Sequence, residues 1–121
     1  MSIFVFGSNL AGRHGKGAAL FALQKCGAIY GQGEGLQGSS YAIPTKDKNL
    51  KTLSLEDIYD YVMIFKEFAE EHPEFQFEVT RIGCGLAGYE DDDIAPMFSY
   101  FPPNCFFSKE WSPYLNAASS D

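Results

Sequence analysis

Apolar segments alternate with glycine-rich turns through the first third of the chain. Ile3 to Phe6 is apolar and is followed by Gly7-Ser8-Asn9, which predicts a buried strand that ends in a loop. Ala18 to Lys25 is rich in small residues and predicts a helix, with Gly27 placed to end it. Glycines are then dense from Gly31 to Gly38, which predicts irregular structure.

The middle of the chain carries the clearest helical pattern. Ser40 to Ile43 predicts a second short strand that stops at Pro44. From Leu55 to Glu71 apolar residues recur at three- and four-residue steps, which predicts a helix with one buried face. Ser54 can cap its first turn, and His72-Pro73 ends it.

The last third predicts two further strands and a shorter helix. Phe75 to Ile82 predicts a third strand running into Gly83, and Asn104 to Phe107 predicts a last one. The acidic run from Glu90 to Asp93 leads into a helix with Pro96 near its first turn. Strands that alternate with helices predict a three-layer α/β/α fold with a largely parallel or mixed sheet. We expect one domain over residues 1–115 and a disordered tail at residues 116–121.

Composition narrows the classes of function. The chain has 121 residues and a net charge of −7, which argues against general nucleic-acid binding but not against one phosphorylated small molecule. Three widely spaced cysteines favour a reducing compartment, and no cysteine or histidine pattern indicates a metal or another cofactor. No apolar run approaches the roughly 20 residues of a membrane span, so we expect a cytoplasmic protein without a membrane partner.

Three loops follow predicted strands and are the candidates for chemistry. They are Gly7 to Gly17, Pro44 to Lys48, and Gly83 to Gly88. In an open α/β sheet, ligands bind outside the carboxyl ends of the strands, so these loops should converge on one edge. Glycine-rich backbone at a helix start can bind phosphate through its N–H groups, although the same glycines also suit tight turns.

The third loop carries a specific resemblance. Ile82 to Gly88 resembles the phosphate-binding loop of macro domains, a superfamily that binds ADP-ribose, near its ADP-ribose phosphatase and ADP-ribosyl-ester hydrolase branch. Val5 to Asn9 together with Gly15 to Ala18 is similar to that family's first loop. Ala42 to Lys46 resembles a strand end that presents a lysine in one deglycosylase branch. The resemblance implies a nucleotide ligand such as ADP-ribose.

The sequence departs from the family pattern at two positions, and a third family residue belongs to a segment outside it. Phe6 stands where many macro domains have the first asparagine of their motif. Ala87 stands where the lysine-dependent branch has an aspartate. The adenine-recognising aspartate of the family belongs to a segment before the strand at which this sequence begins. These departures weaken the expected base contact and the expected catalytic pair, while the phosphate loop is retained.

The predicted ligand-binding residues lie on the first and third loops. They are Gly7, Ser8, Asn9, Gly15, Lys16, Gly17, Gly83, Cys84, Gly85, Leu86, Ala87, Gly88 and Tyr89. Asn9 could hold a ribose hydroxyl or form a local turn through its own amide. Tyr89 could stack on a base. The small Cys84 side chain suits the turn, since no partner base is visible for a nucleophilic thiol.

Two residues are candidates for catalysis, each with a simpler alternative. Lys46 could attack a ribose aldehyde or counter a phosphate charge, or it could be a solvated turn lysine beside Asp47. His14 could act as an acid or base, with Arg13 beside it for phosphate, or both could be ordinary loop residues.

The sequence leaves three functions open. The first is a module that binds ADP-ribose or a related nucleotide. The second is a hydrolase that removes ADP-ribose from an adduct, or the terminal phosphate from ADP-ribose 1″-phosphate. The third is an interaction protein that keeps the fold without the ligand.

Asp91 to Asp93 could hold a cation, but stabilisation of a helix N-terminus is the simpler account.

Overall fold

A computed structural model describes residues 1–115, which form a five-stranded sheet with helices on both faces. The elements in chain order are β1 (Ser2–Asn9), α1 (Gly17–Lys25), β2 (Gly35–Gln37), β3 (Ser40–Lys46), α2 (Leu55–Glu71), β4 (Gln76–Val79), α3 (Asp91–Ile94), a 3₁₀ helix (Ala95–Phe98), β5 (Cys105–Phe107) and a second 3₁₀ helix (Lys109–Tyr114). The tail predicted at residues 116–121 lies outside the described residues.

The sheet is mixed, with strand order β2-β3-β1-β4-β5. β1 runs parallel to both β3 and β4, β4 runs parallel to β5, and only β2 pairs antiparallel, with β3. Alternate residues of β1 serve the two faces, since Ile3 and Val5 pack with α2 whereas Phe6 packs with α1. The predicted three-layer α/β/α fold is therefore confirmed.

Helix α2 has the bounds and the buried face that its sequence pattern predicts. The Ser54 hydroxyl accepts a hydrogen bond of 3.1 Å from the Asp57 N–H, which caps the first turn. Its buried residues are Ile58, Val62, Phe65 and Ala69. Their three- and four-residue spacing places them on the face that covers the sheet.

Two strands differ from the sequence pattern. β3 continues through Pro44 to Lys46. Pro44 has no N–H to donate, and the sheet tolerates this because β2 pairs with β3 only as far as Ala42. β2 itself forms inside the glycine-rich segment that was expected to be irregular. It has only three residues, the length of a short edge strand.

β4 ends at Val79 rather than at Ile82 as the pattern predicts. Both the backbone N–H and the hydroxyl of Thr80 donate to the carbonyl of Val5, at 3.0 and 2.8 Å. The Ile82 N–H then bonds back to the Thr80 carbonyl at 2.8 Å, so the chain turns away from the sheet. This turn starts the third loop at the edge where β1 and β3 also end.

Candidate functional site

A cavity of about 620 Å³ lies at the carboxyl ends of β1, β3 and β4. All three predicted loops contribute to its lining. The predicted site residues that line it are Gly7, Ser8, Asn9, Gly15, Lys16, Gly17, Lys46, Gly83, Gly85, Leu86 and Ala87. A Cβ placed on Gly7 would lie 3.5 Å from the backbone nitrogen of Gly83, so the end of β1 and the third loop are in close contact.

The first wall is the N-terminal end of α1. Its N-cap residue, Lys16, makes no side-chain capping hydrogen bond. The first N–H groups of a helix have no partner within the helix, and the residues that carry them here, Gly17 to Ala19, line the cavity. The partial positive charge of the helix end therefore faces the cavity, which suits an anion.

The second wall is the loop from Gly83 to Gly88. Gly83 has φ of 75°, and a Cβ there would lie 3.2 Å from Ile94, so both conformation and packing require glycine. Within the described part of the chain, nothing accepts a hydrogen bond from the N–H groups of Gly85, Leu86 and Ala87. Three successive unpaired donors form the kind of backbone concavity that binds phosphate.

Gly85 differs from Gly83 because the fold has space for a side chain at position 85. A Cβ on Gly85 would meet no atom within 4 Å, and Gly85 does not have a positive φ. Neither the turn nor the packing therefore requires glycine at this position. Because Gly85 lines the cavity, the missing side chain leaves room there for a ligand to approach the backbone.

Asn9 lines the cavity, but its amide is already engaged. The side-chain nitrogen donates to the Arg13 carbonyl at 3.0 Å, and the side-chain oxygen accepts from the Arg13 N–H at 2.9 Å. This is the local turn that the sequence left open as the alternative to a ribose contact. Asn9 also pairs with Lys46 across β1 and β3, which joins the first loop to the second.

The cavity concentrates positive charge in an acidic chain. Four of the nine Lys and Arg residues line it, namely Arg13, Lys16, Lys46 and Arg81. No carboxylate of residues 1–115 lines it. The Asp47 carboxylate, next to Lys46 in sequence, instead accepts hydrogen bonds from the N–H groups of Asn49 and Lys51 at 2.8 and 2.9 Å. The cavity is therefore suited to an anion.

His14 does not line the cavity. Its ring is fully buried, with Nε2 3.0 Å from the Gln32 carbonyl and 3.2 Å from Oε1 of Gln37. The ring meets Phe6 edge-on, with centroids 5.3 Å apart. His14 therefore does not face this cavity as the acid or base considered from the sequence, because its ring packs inward and holds the loop around Gln32 against the sheet.

Tyr89 also lies away from the cavity lining. Its hydroxyl donates a 2.7 Å hydrogen bond to the Leu53 carbonyl, and its ring packs against the core on the α2 face. Cys84 and Gly88 complete the third loop without lining the cavity. Their N–H groups bond to the carbonyls of Arg81 and Gly85, which holds the loop in shape.

A cluster behind the third loop centres on the Asp91 carboxylate. Asp91 accepts from Nε and Nη2 of Arg81 at 3.0 and 2.6 Å, and from the Trp111 indole at 2.8 Å. The hydrogen bond from Arg81, and then that from Trp111, lowers the pKa of Asp91. Burial, with a contribution from Asp91, raises the pKa of the Cys84 thiol to about 12, so the thiol is protonated and not a nucleophile.

Several residues of the cavity lining lie outside the three loops that the sequence predicts. They include Tyr30, Leu50, Thr80 and Arg81. Tyr30 directly precedes the glycine-rich segment from Gly31 to Gly38, and this position is the one sequence feature that could have indicated its place on the lining. Leu50 and Arg81 carry no local pattern that would mark them.

Within residues 1–115, no group of three or more His, Cys, Asp or Glu side chains could hold a metal ion. None of the helices described is both long enough and apolar enough to cross a membrane.

Comparison with known proteins identifies a structural similarity. No family model matches the sequence, and no curated protein matches it. The structure is similar to that of Thermosipho africanus DarTG in complex with ADP-ribose, with a TM-score of 0.61 and 15% sequence identity. The match covers 88% of this chain and 38% of the DarTG chain, so this chain spans well under half of that protein's length. At this identity the similarity concerns the fold alone, and it agrees with the three-layer α/β fold expected from the sequence.

Proposed function

We propose that this protein binds ADP-ribose, or a closely related phosphorylated nucleotide, in the cavity at the carboxyl ends of β1, β3 and β4. The observation that carries the proposal is the pair of N–H-rich walls on one cavity. The N-terminus of α1 forms one wall, and the unpaired N–H groups of Gly85 to Ala87 form the other. A diphosphate between them would be bound by backbone donors on two sides.

The size and charge of the cavity support a nucleotide. Its volume of about 620 Å³ falls within the range of small-molecule sites. Arg13, Lys16 and Lys46 face it and form no salt bridge with any described residue, so their charge is available to a ligand. The DarTG structure of similar fold holds ADP-ribose, which is consistent with this ligand class.

Titration calorimetry with ADP-ribose, ADP-ribose 1″-phosphate and NAD tests the proposal. We expect ADP-ribose to bind, and we expect higher salt to weaken the binding because part of the attraction is between charges. Lys25→Ala serves as the control variant, since Lys25 lies in the last turn of α1, away from the cavity. Absence of binding by all three nucleotides would overturn the proposal.

A hydrolase is the second candidate, and the position of Lys46 favours it. Lys46 ends β3 on the cavity lining, beside Asn9, and the Asp47 carboxylate is occupied in its own turn. An unprotonated amine at this position can attack the anomeric carbon of an ADP-ribose adduct and displace the modified group, which leaves with a proton, and water then hydrolyses the covalent lysine intermediate to release ADP-ribose and the free amine. Release of ADP-ribose from a modified substrate should stop in Lys46→Ala and continue in Lys51→Ala. Equal turnover by the two variants would exclude the lysine mechanism.

A further inference from the structure

Three large apolar side chains are exposed on the lining of the cavity. Tyr30 is 61% exposed, Leu50 is 41% exposed and Leu86 is 64% exposed. Each belongs to a different loop, so three separate segments bring one apolar side chain to the same cavity. Phosphate binding needs none of them, because backbone N–H groups and cations provide for an anion. We refer to Tyr30, Leu50 and Leu86 as the apolar rim.

The backbone that carries Tyr30 is held on both sides. The Gly31 N–H donates to the Gly12 carbonyl at 2.8 Å, and the Ile29 N–H donates to Oε1 of Gln37 at 2.8 Å. The buried ring of His14 meets the Tyr30 ring edge-on, with centroids 6.4 Å apart. Tyr30 is therefore exposed on a loop that is already fixed, which is the arrangement of a contact surface prepared for a ligand.

Leu50 occupies an unusual backbone conformation. Its φ is 65°, in the left-handed region that disfavours residues with a branched or bulky side chain. The turn that imposes it is closed by the Asp47 N–H bonding to the Lys51 carbonyl at 2.8 Å and the Leu50 N–H bonding to the Asp47 carbonyl at 3.0 Å. Glycine would suit this turn better, so the leucine side chain is retained at a conformational cost.

Leu86 reaches across from the third loop toward α1. A Cβ placed on Gly17 would lie 3.7 Å from Cδ1 of Leu86. The Leu86 side chain thus lies near the N-terminal end of α1, while its own N–H belongs to the unpaired donors of the third loop. The same residue joins the part of the cavity suited to phosphate to the apolar rim.

We propose that the apolar rim holds the base of the bound nucleotide through apolar and stacking contacts, and that the site distinguishes only weakly between purine bases. This inference rests on the proposed nucleotide-binding function. A planar base beside a diphosphate matches an apolar rim beside N–H donors and cations. No carboxylate among residues 1–115 lines the cavity to accept a base amino group, and stacking is tolerant because every base presents an aromatic face.

Calorimetry with three probes tests the rim: ADP-ribose, its hypoxanthine analogue, and inorganic diphosphate as a probe without a base. In the wild type we expect the two nucleotides to bind with affinities within about fivefold of each other, since stacking differs little between purines. Tyr30→Ala should weaken both nucleotides by about tenfold and leave diphosphate binding unchanged. Tyr30→Phe should restore the affinity, because its ring keeps the aromatic face.

Leu50→Gly separates a ligand contact from a structural role. Glycine adopts the left-handed conformation freely, so the melting temperature should not fall while nucleotide affinity does. Tyr59→Ala is the matched control, since Tyr59 is 47% exposed on α2 and does not line the cavity. Its affinities should equal those of the wild type.

The outcomes distinguish the two proposals. If the wild type binds neither nucleotide, the proposed function fails and the rim proposal fails with it. If the wild type binds ADP-ribose but Tyr30→Ala binds it equally well, or loses diphosphate to the same extent, only the rim proposal is overturned. A preference of more than about a hundredfold for ADP-ribose over its hypoxanthine analogue would show hydrogen-bonded base recognition and would also overturn it.

Discussion

Substitution of Gly85 by valine tests the phosphate wall most directly. A Cβ on Gly85 would meet no atom within 4 Å, and its φ is outside the left-handed region, so valine can be accommodated by the fold. Its side chain would lie beside the N–H groups of Gly85, Leu86 and Ala87, which have no acceptor among the described residues. A phosphate could then no longer approach these donors closely.

The expected magnitude follows from the donors that a ligand would lose. A hydrogen bond to a charged group contributes about 1.5–3 kcal/mol. Loss of two of them would cost about 3–6 kcal/mol, which corresponds to a decrease in affinity of about a hundredfold to ten-thousandfold. The free energy of unfolding should change by less than about 1 kcal/mol, as for an exposed site without special geometry.

Calorimetry with ADP-ribose measures the first quantity, and denaturant unfolding measures the second. Gly85→Ala provides a graded comparison, because its single methyl group should reduce affinity less than valine does. An affinity for ADP-ribose within about fivefold of the wild type, in a Gly85→Val protein of normal stability, would refute phosphate binding by this wall. Wild-type binding of ADP-ribose is the positive control for the whole series.

Three further predictions address charge, packing and pH. Lys16→Ala should weaken ADP-ribose binding by about tenfold relative to Lys25→Ala, since Lys16 lines the cavity and Lys25 does not; equal affinities by calorimetry would contradict this. Gly33→Ala should destabilise the fold by about 3 kcal/mol or more in denaturant unfolding, because its Cβ would lie 2.3 Å from the Asn9 carbonyl oxygen. Arg81 and Trp111 lower the pKa of Asp91, so its contribution to stability is present above the ordinary aspartate pKa and is lost as the pH falls through the lowered value. Asp91→Asn should therefore lower the melting temperature near neutral pH, and the difference from the wild type should shrink toward about pH 2; a difference independent of pH would contradict the assignment.

Local sequence patterns were sufficient to predict those elements whose structure depends on residues a few positions apart. The apolar spacing and the Ser54 cap of α2 depend on neighbours along one helix, and the structure has both as predicted. The glycines of the third loop were likewise recognisable, since a turn that needs a positive φ, as at Gly83, selects for them locally. That β1, β3 and β4 end at one edge also follows from the alternation of strands and helices.

The sequence by itself determined the α/β layers and the segments that meet at the cavity, whereas the tertiary structure decided which side chains reach it. His14 belongs to a loop that lines the cavity, yet its ring points inward. Its Nε2 lies within hydrogen-bonding distance of the Gln32 carbonyl and of Oε1 of Gln37, residues far along the chain. Tyr89 is held away by the Leu53 carbonyl, while Tyr30 is exposed on the lining. These orientations depend on contacts between residues distant in sequence, and a local pattern of apolar and polar positions carries no information about them.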